Sequence, residues 1–129
     1  MGVASRGVRA ERDARRWLRL DALYCAVAAL IALVLCVPLA RWFGVPFPLV
    51  AVIGAATGAW AWLLHRLAAS PAWRRPLAAV AAANVAGSAA VTVLAALAPG
   101  VAPRLLLAAV AIEVAAFAVV QTRTLRDAR

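Results

Sequence analysis

Glu113 is the one formal charge set deep in the apolar stretch from Leu105 to Thr122. A carboxylate in such a place can take up a proton, hold a cation or pair with a polar neighbour. Ionised and alone in hydrocarbon it costs roughly 2.5 to 3.5 kcal/mol, so it is expected to be protonated or accompanied. Two other polar residues reach a matching depth if every apolar stretch is helical. Glu113 lies roughly 13 Å from Thr122, Asn84 about 12 Å from Pro76, and Thr57 roughly 13 Å from Arg66. Glu113, Asn84 and Thr57 are therefore expected to form one intramembrane polar cluster. It reads in two ways: a proton or ligand site in which Asn84 orients a titrating Glu113, or interhelical hydrogen bonds in which a neutral Glu113 donates to Asn84 and accepts from Thr57. Gln121 could extend a polar track from Glu113 to the surface or be an ordinary interface residue.

Other reactive side chains have less company. His65 is the only histidine, stands between Leu64 and Arg66, and has no second histidine or thiol near its depth, so it reads as an interfacial polar tip. Cys25 and Cys36 fall on nearly the same helix face about 16 Å apart, too far for a disulfide, and read as small packing residues. The chain has no P-loop, HExxH, GxSxG or paired-cysteine motif. Neither an enzymatic activity nor a metal or other cofactor is expected.

The elements that must position these residues are set by charge-free runs. Ala22 to Ala40, Trp42 to Leu64 and Pro76 to Pro103 contain no formal charge, and hydrophobic residues make up 67 % of the chain. A soluble domain of this size could not hide that excess in one core. Each run approaches or exceeds the roughly 20 residues a helix needs to cross a bilayer. The spacing predicts an all-α, transmembrane four-helix up-down bundle with spans at about 20–39, 46–66, 76–98 and 103–122. A basic segment, 1–19, precedes it and a basic tail, 123–129, follows. Short connections, including Pro99-Gly100, predict consecutive helices lying antiparallel side by side. The first run is longer than a signal-peptide core and no convincing small-x-small site follows it, so cleavage is not expected.

The net charge of +9 comes from fourteen arginines and no lysine. With four spans, twelve arginines fall on one side and only Arg41 and Arg104 on the other, which places both termini in the cytoplasm by the positive-inside rule. In 1–19 arginine recurs at helical spacing and Glu11 can pair with Arg15. Two readings stay open here. One is a surface helix laying Arg9, Arg12, Arg15, Arg16 and Arg19 against anionic head groups, with Trp17 and Leu18 dipping toward the interface; the other is a topology anchor. Membrane lipids are thus expected partners, and nucleic acid is not, since only Trp17 is interleaved with the arginines. Packing is expected from small residues: Gly54 and Gly58, continued by Ala61; Ala79, Ala83 and Gly87; and Ala108, Ala111, Ala115 and Ala118.

Trp17-Leu18-Arg19-Leu20-Asp21-Ala22-Leu23, Gly44-Val45-Pro46, a mid-span Asn84, and Glu113 followed by Gln121 resemble small four-span integral membrane proteins of high-GC bacteria that generally carry no assigned activity. The resemblance implies a multi-pass protein of a bacterial plasma (inner) membrane and no particular reaction. Two functions compete. One is a structural component that packs on itself or on a membrane protein partner. The other is a small proton-coupled transporter or lipid-handling protein using Glu113. Small multidrug transporters share the size and a membrane glutamate, but theirs stands in the first span, where this chain offers no acid.

Overall fold

The computed structural model describes residues 2–128, with no strand among them. Helix α1 runs Gly2–Val34, α2 Cys36–Phe43, α3 Phe47–Ala68, α4 Arg74–Leu97 and α5 Val101–Asp127. Four of them, α1, α3, α4 and α5, are long and apolar enough to cross a membrane. The chain is an all-α transmembrane four-helix bundle. Large apolar side chains such as Leu30, Val34, Ile53, Val93, Leu105 and Ile112 cover its outside. In water that surface would drive aggregation; in hydrocarbon it meets a solvent of its own kind, while the backbone groups are satisfied inside each helix.

The first span is bent rather than continuous. Pro38 has no N–H to donate back along the helix, and the helix breaks at Leu35 and resumes as α2. The Leu35 N–H still reaches the Ile31 carbonyl and the Leu39 N–H the Leu35 carbonyl, each at 2.9 Å. Gly44, in the left-handed region at φ +68°, ends α2, and the Val45 N–H closes on the Ala40 carbonyl at 3.0 Å. Pro46 and Pro48 open α3, where missing N–H groups cost nothing. At the same end of the molecule Arg104 Nε donates to the Ala98 carbonyl at 2.9 Å, satisfying a group that the end of α4 leaves open.

Consecutive helices do not all lie side by side. The structure makes two antiparallel hairpins, α1 with α3 and α4 with α5, joined mainly through α1 and α5, and α3 and α4 barely touch. In the first hairpin Leu33 meets Gly54, Ala29 meets Gly58, and Arg15 Nη1 donates to the Ala68 carbonyl at 2.8 Å. In the second, Val114 meets Gly87, Ser88 Oγ donates to the Ala111 carbonyl at 2.9 Å, and Arg74 bonds the Ala128 carbonyl. Gly54 has the tightest surroundings of the helical glycines, since a Cβ there would stand 3.0 Å from Leu33 Cγ and 3.2 Å from Ala32 Cβ. Gly58 and Gly87 have looser surroundings, with nearest atoms at 3.6 and 3.9 Å. Ala61, Ala111 and Ala118 are buried on the same interfaces, but Ala79 is exposed because α4 turns Leu77, Val80, Ala81 and Asn84 inward instead.

The apolar core sits at the basic end of the bundle. Ala10, Ala14, Leu18 and Ala22 on α1 close over Leu64 and Ala68 of α3, Trp73 of the connection, and Leu77 and Val80 of α4.

 The stripe recurs every fourth residue, so one face of α1 is apolar well before the charge-free run begins. This corrects the surface-helix reading: residues 2–19 continue α1, and Leu18 is fully buried in the core, where Trp73 of the α3–α4 connection is buried with it. Glu11 and Arg15 pair at 2.9 Å as their spacing suggests. Trp60 packs against the core while Trp62 faces outward, with the Arg66 guanidinium 5.4 Å from its ring.

Close approach at Gly54 predicts a graded response to added side-chain volume. Gly54→Leu is expected to lower stability by about 1 to 3 kcal/mol through overpacking. Gly87→Ala, with van der Waals room for its methyl group, is expected to fold normally. Thermal unfolding in detergent checks both.

Candidate functional site

The second half of the core is polar. Asp21 (2 % exposed), Asn84 (7 %) and Gln121 (fully buried) come from α1, α4 and α5 and meet where the two hairpins join. Helix faces explain the meeting. Asp21 lies beside Ala22 in the stripe that α1 turns inward, Asn84 follows Leu77, Val80 and Ala81 on the buried face of α4, and Gln121 follows Ala111 and Ala118 on that of α5. Counting from the contacts that close the basic end, the site lies about 9 Å in along α1 from Arg15, about 10 Å along α5 from Ala128 and about 15 Å along α4 from Arg74.

The hydrogen bonds converge on one carboxylate. Asp21 Oδ2 accepts from Asn84 Nδ2 at 2.7 Å and from Gln121 Nε2 at 2.9 Å. Asn84 Nδ2 also donates to Gln121 Oε1 at 3.1 Å, and the Cys25 thiol donates weakly to Asp21 Oδ1 at 3.7 Å. Cys25, Asn84 and Gln121 thus all donate to the Asp21 carboxyl group. Among the described residues no buried side-chain nitrogen or oxygen lacks a partner. A fully satisfied network of this kind fixes helix register.

A second polar contact lies deeper, on the outside. Glu113 is exposed on α5, about 22 Å along the helix from Ala128 and about 18 Å from Val101. The Tyr24 hydroxyl of α1 donates to Glu113 Oε2 at 2.6 Å, and the Tyr24 ring packs on Phe117 with centroids 5.7 Å apart. Glu113 thus lies near the middle of α5 with its side chain exposed on the outside of the bundle.

The expected cluster of Glu113, Asn84 and Thr57 does not assemble. Asn84 joins Asp21 and Gln121 instead, Glu113 joins Tyr24, and Thr57 donates to the Ile53 carbonyl of its own helix at 2.8 Å. Matching depths were not enough, because α3, which carries Thr57, packs on α1 and scarcely meets α4. The first span does contain an acid: Asp21 lies just before its charge-free run and is buried by the tertiary packing. Its signal in the sequence was faint but present, a carboxylate four residues after Trp17 and four before Cys25, in phase with Ala10, Ala14 and Leu18 to within one position. Tyr24 had no signal beyond its polarity.

The remaining residues of interest are spread over the surface. Arg9, Arg12, Arg16 and Arg19 are exposed on α1, and the Arg16 guanidinium lies 5.9 Å from the Trp17 ring. Arg15 is engaged by Glu11 and by the Ala68 carbonyl, where it satisfies the end of α3. His65 is exposed, and Cys25 and Cys36 are free thiols. No protein-family model, curated protein or solved structure matches the chain.

The two polar contacts predict different sensitivities. Asp21→Leu removes the acceptor shared by two buried amides and is expected to cost about 1 to 3 kcal/mol. Glu113→Gln, at the surface, is expected to cost less than about 1 kcal/mol, the scale of one interhelical hydrogen bond in a membrane. Thermal unfolding of both variants in the same detergent checks the order.

Proposed function

We propose that this multi-pass membrane protein is a non-enzymatic, partner-binding component of a bacterial plasma (inner) membrane, oriented with both termini in the cytoplasm. The observation that carries the reading is the exposure of Glu113 in mid-span. Carboxyl groups within membrane spans nearly always face a bundle interior or a water-filled cavity. Here the interior is already served by Asp21, and Glu113 is turned outward with one hydroxyl as its partner. A neighbouring membrane helix that brings a cation or a hydrogen-bond donor to this face would relieve the cost of leaving it in lipid. The orientation is supported by the twelve-to-two division of arginines and the bacterial setting by the resemblance of the sequence to small four-span proteins.

A second reading rests on the same exposure: the Tyr24–Glu113 pair as the proton-binding site of a small transporter or lipid-handling protein. Glu113→Leu separates the two. A photo-crosslinking residue placed at Ile112 is expected to give a discrete protein adduct in native membranes, lost in the Glu113→Leu background while the bundle remains folded. Absence of any adduct, together with proton-linked uptake in proteoliposomes that Glu113→Gln abolishes, would move the assignment to transport. Reporter fusions to the two ends are expected to place both in the cytoplasm, and a result on opposite faces would overturn the orientation.

A further inference from the structure

A groove of about 450 Å³ runs along the outer seam of α4 and α5, and its two ends differ in chemistry. Val85, Ala115, Ala118 and Val119 line most of its floor, with the hydroxyl-bearing Ser88 and Thr122 among them, and Arg123 and Arg126 stand at the basic end. From Ala115 to Arg126 the helix rises about 16 Å, close to one leaflet of a hydrocarbon core about 30 Å thick. The groove has the volume of a small-molecule site, and none of Asp21, Asn84 and Gln121 lines it.

We propose that this groove seats an anionic phospholipid, its phosphate held by Arg123 and Arg126 and one acyl chain lying along Val85, Ala115 and Val119. Charge complementarity selects the occupant. Both guanidiniums lack an ion pair among the described residues, although Asp127 lies four positions from Arg123. The C-terminal end of α5 itself carries negative partial charge, so the arginines alone make this rim attractive to a phosphate. A zwitterionic lipid offers the same tails with no net charge for them to meet. The inference rests on the membrane placement of the bundle and is independent of what binds the Tyr24–Glu113 face.

The test uses the full chain reconstituted in phosphatidylcholine vesicles containing a photoactivatable phosphatidylglycerol with the reactive group in its acyl chain. Adducts are expected to concentrate on Val85, Ala115 and Val119, and to be competed by unlabelled phosphatidylglycerol but not by phosphatidylcholine. The double variant Arg123→Gln/Arg126→Gln is expected to weaken the competition by roughly 30-fold, on the scale of about 1 kcal/mol per arginine at an anionic surface. Arg9→Gln/Arg12→Gln removes the same charge elsewhere and is expected to leave the groove adducts in place. Ala115→Phe, which fills the floor and spares the rim, is expected to abolish them. Adducts spread evenly over the lipid-facing sides of α3 and α5, or groove labelling indifferent to the Arg123/Arg126 change, would overturn the proposal.

Discussion

Hydrocarbon gives two apolar helices no hydrophobic reason to associate, and it leaves a bare carboxylate with nothing to accept from. Asp21 turns the second fact into an answer to the first. Its carboxylate gathers donors from Asn84 on α4 and Gln121 on α5, and these bonds are a buried polar link between two hairpins that also meet along α1 and α5 and through the apolar core that α1 and α3 share with Leu77 and Val80 of α4. Each hairpin is held differently, by close packing at Gly54 in one and by Gly87, Ser88 and the alanines of α5 in the other. The small residues set how near the helices come, and the carboxylate sets which helices come together.

The placement of the core follows from the same division. Near the basic end α1 extends well beyond the charge-free run, and its inward stripe of Ala10, Ala14 and Leu18 is covered by the ends of α3 and α4 and by Trp73. There the bundle resembles a soluble helical protein, with a dry apolar centre and arginines outside. Toward the opposite end the buried residues are mostly alanines, and the large side chains face outward into lipid. The basic segment is therefore part of the folded unit, and Arg9, Arg12, Arg16 and Arg19 are exposed on the same helix that carries Asp21.

Two carboxylates in the spans have opposite surroundings. Asp21 is enclosed, fully partnered and suited to holding register. Glu113 is exposed, has a single hydroxyl partner and leaves the protein's surface polar near the middle of α5. An interior acid ties a structure together; an outward one calls for something beyond it.

The number of membrane-length helices and the small residue at Gly54 were legible in the sequence, because length, hydropathy and side-chain size are local properties of a segment. Asn84 and Gln121 were visible as polar residues in apolar helices, and Glu113 as the charge in the last span. Their partners were not visible. Depth along a helix can be counted from a sequence, but which helices touch, and which face each turns inward, depends on how whole surfaces fit. The pairing of α1 with α3 and α4 with α5 therefore decided that Asn84 meets Asp21, that Thr57 bonds its own backbone and that Glu113 is exposed on the outside of the bundle.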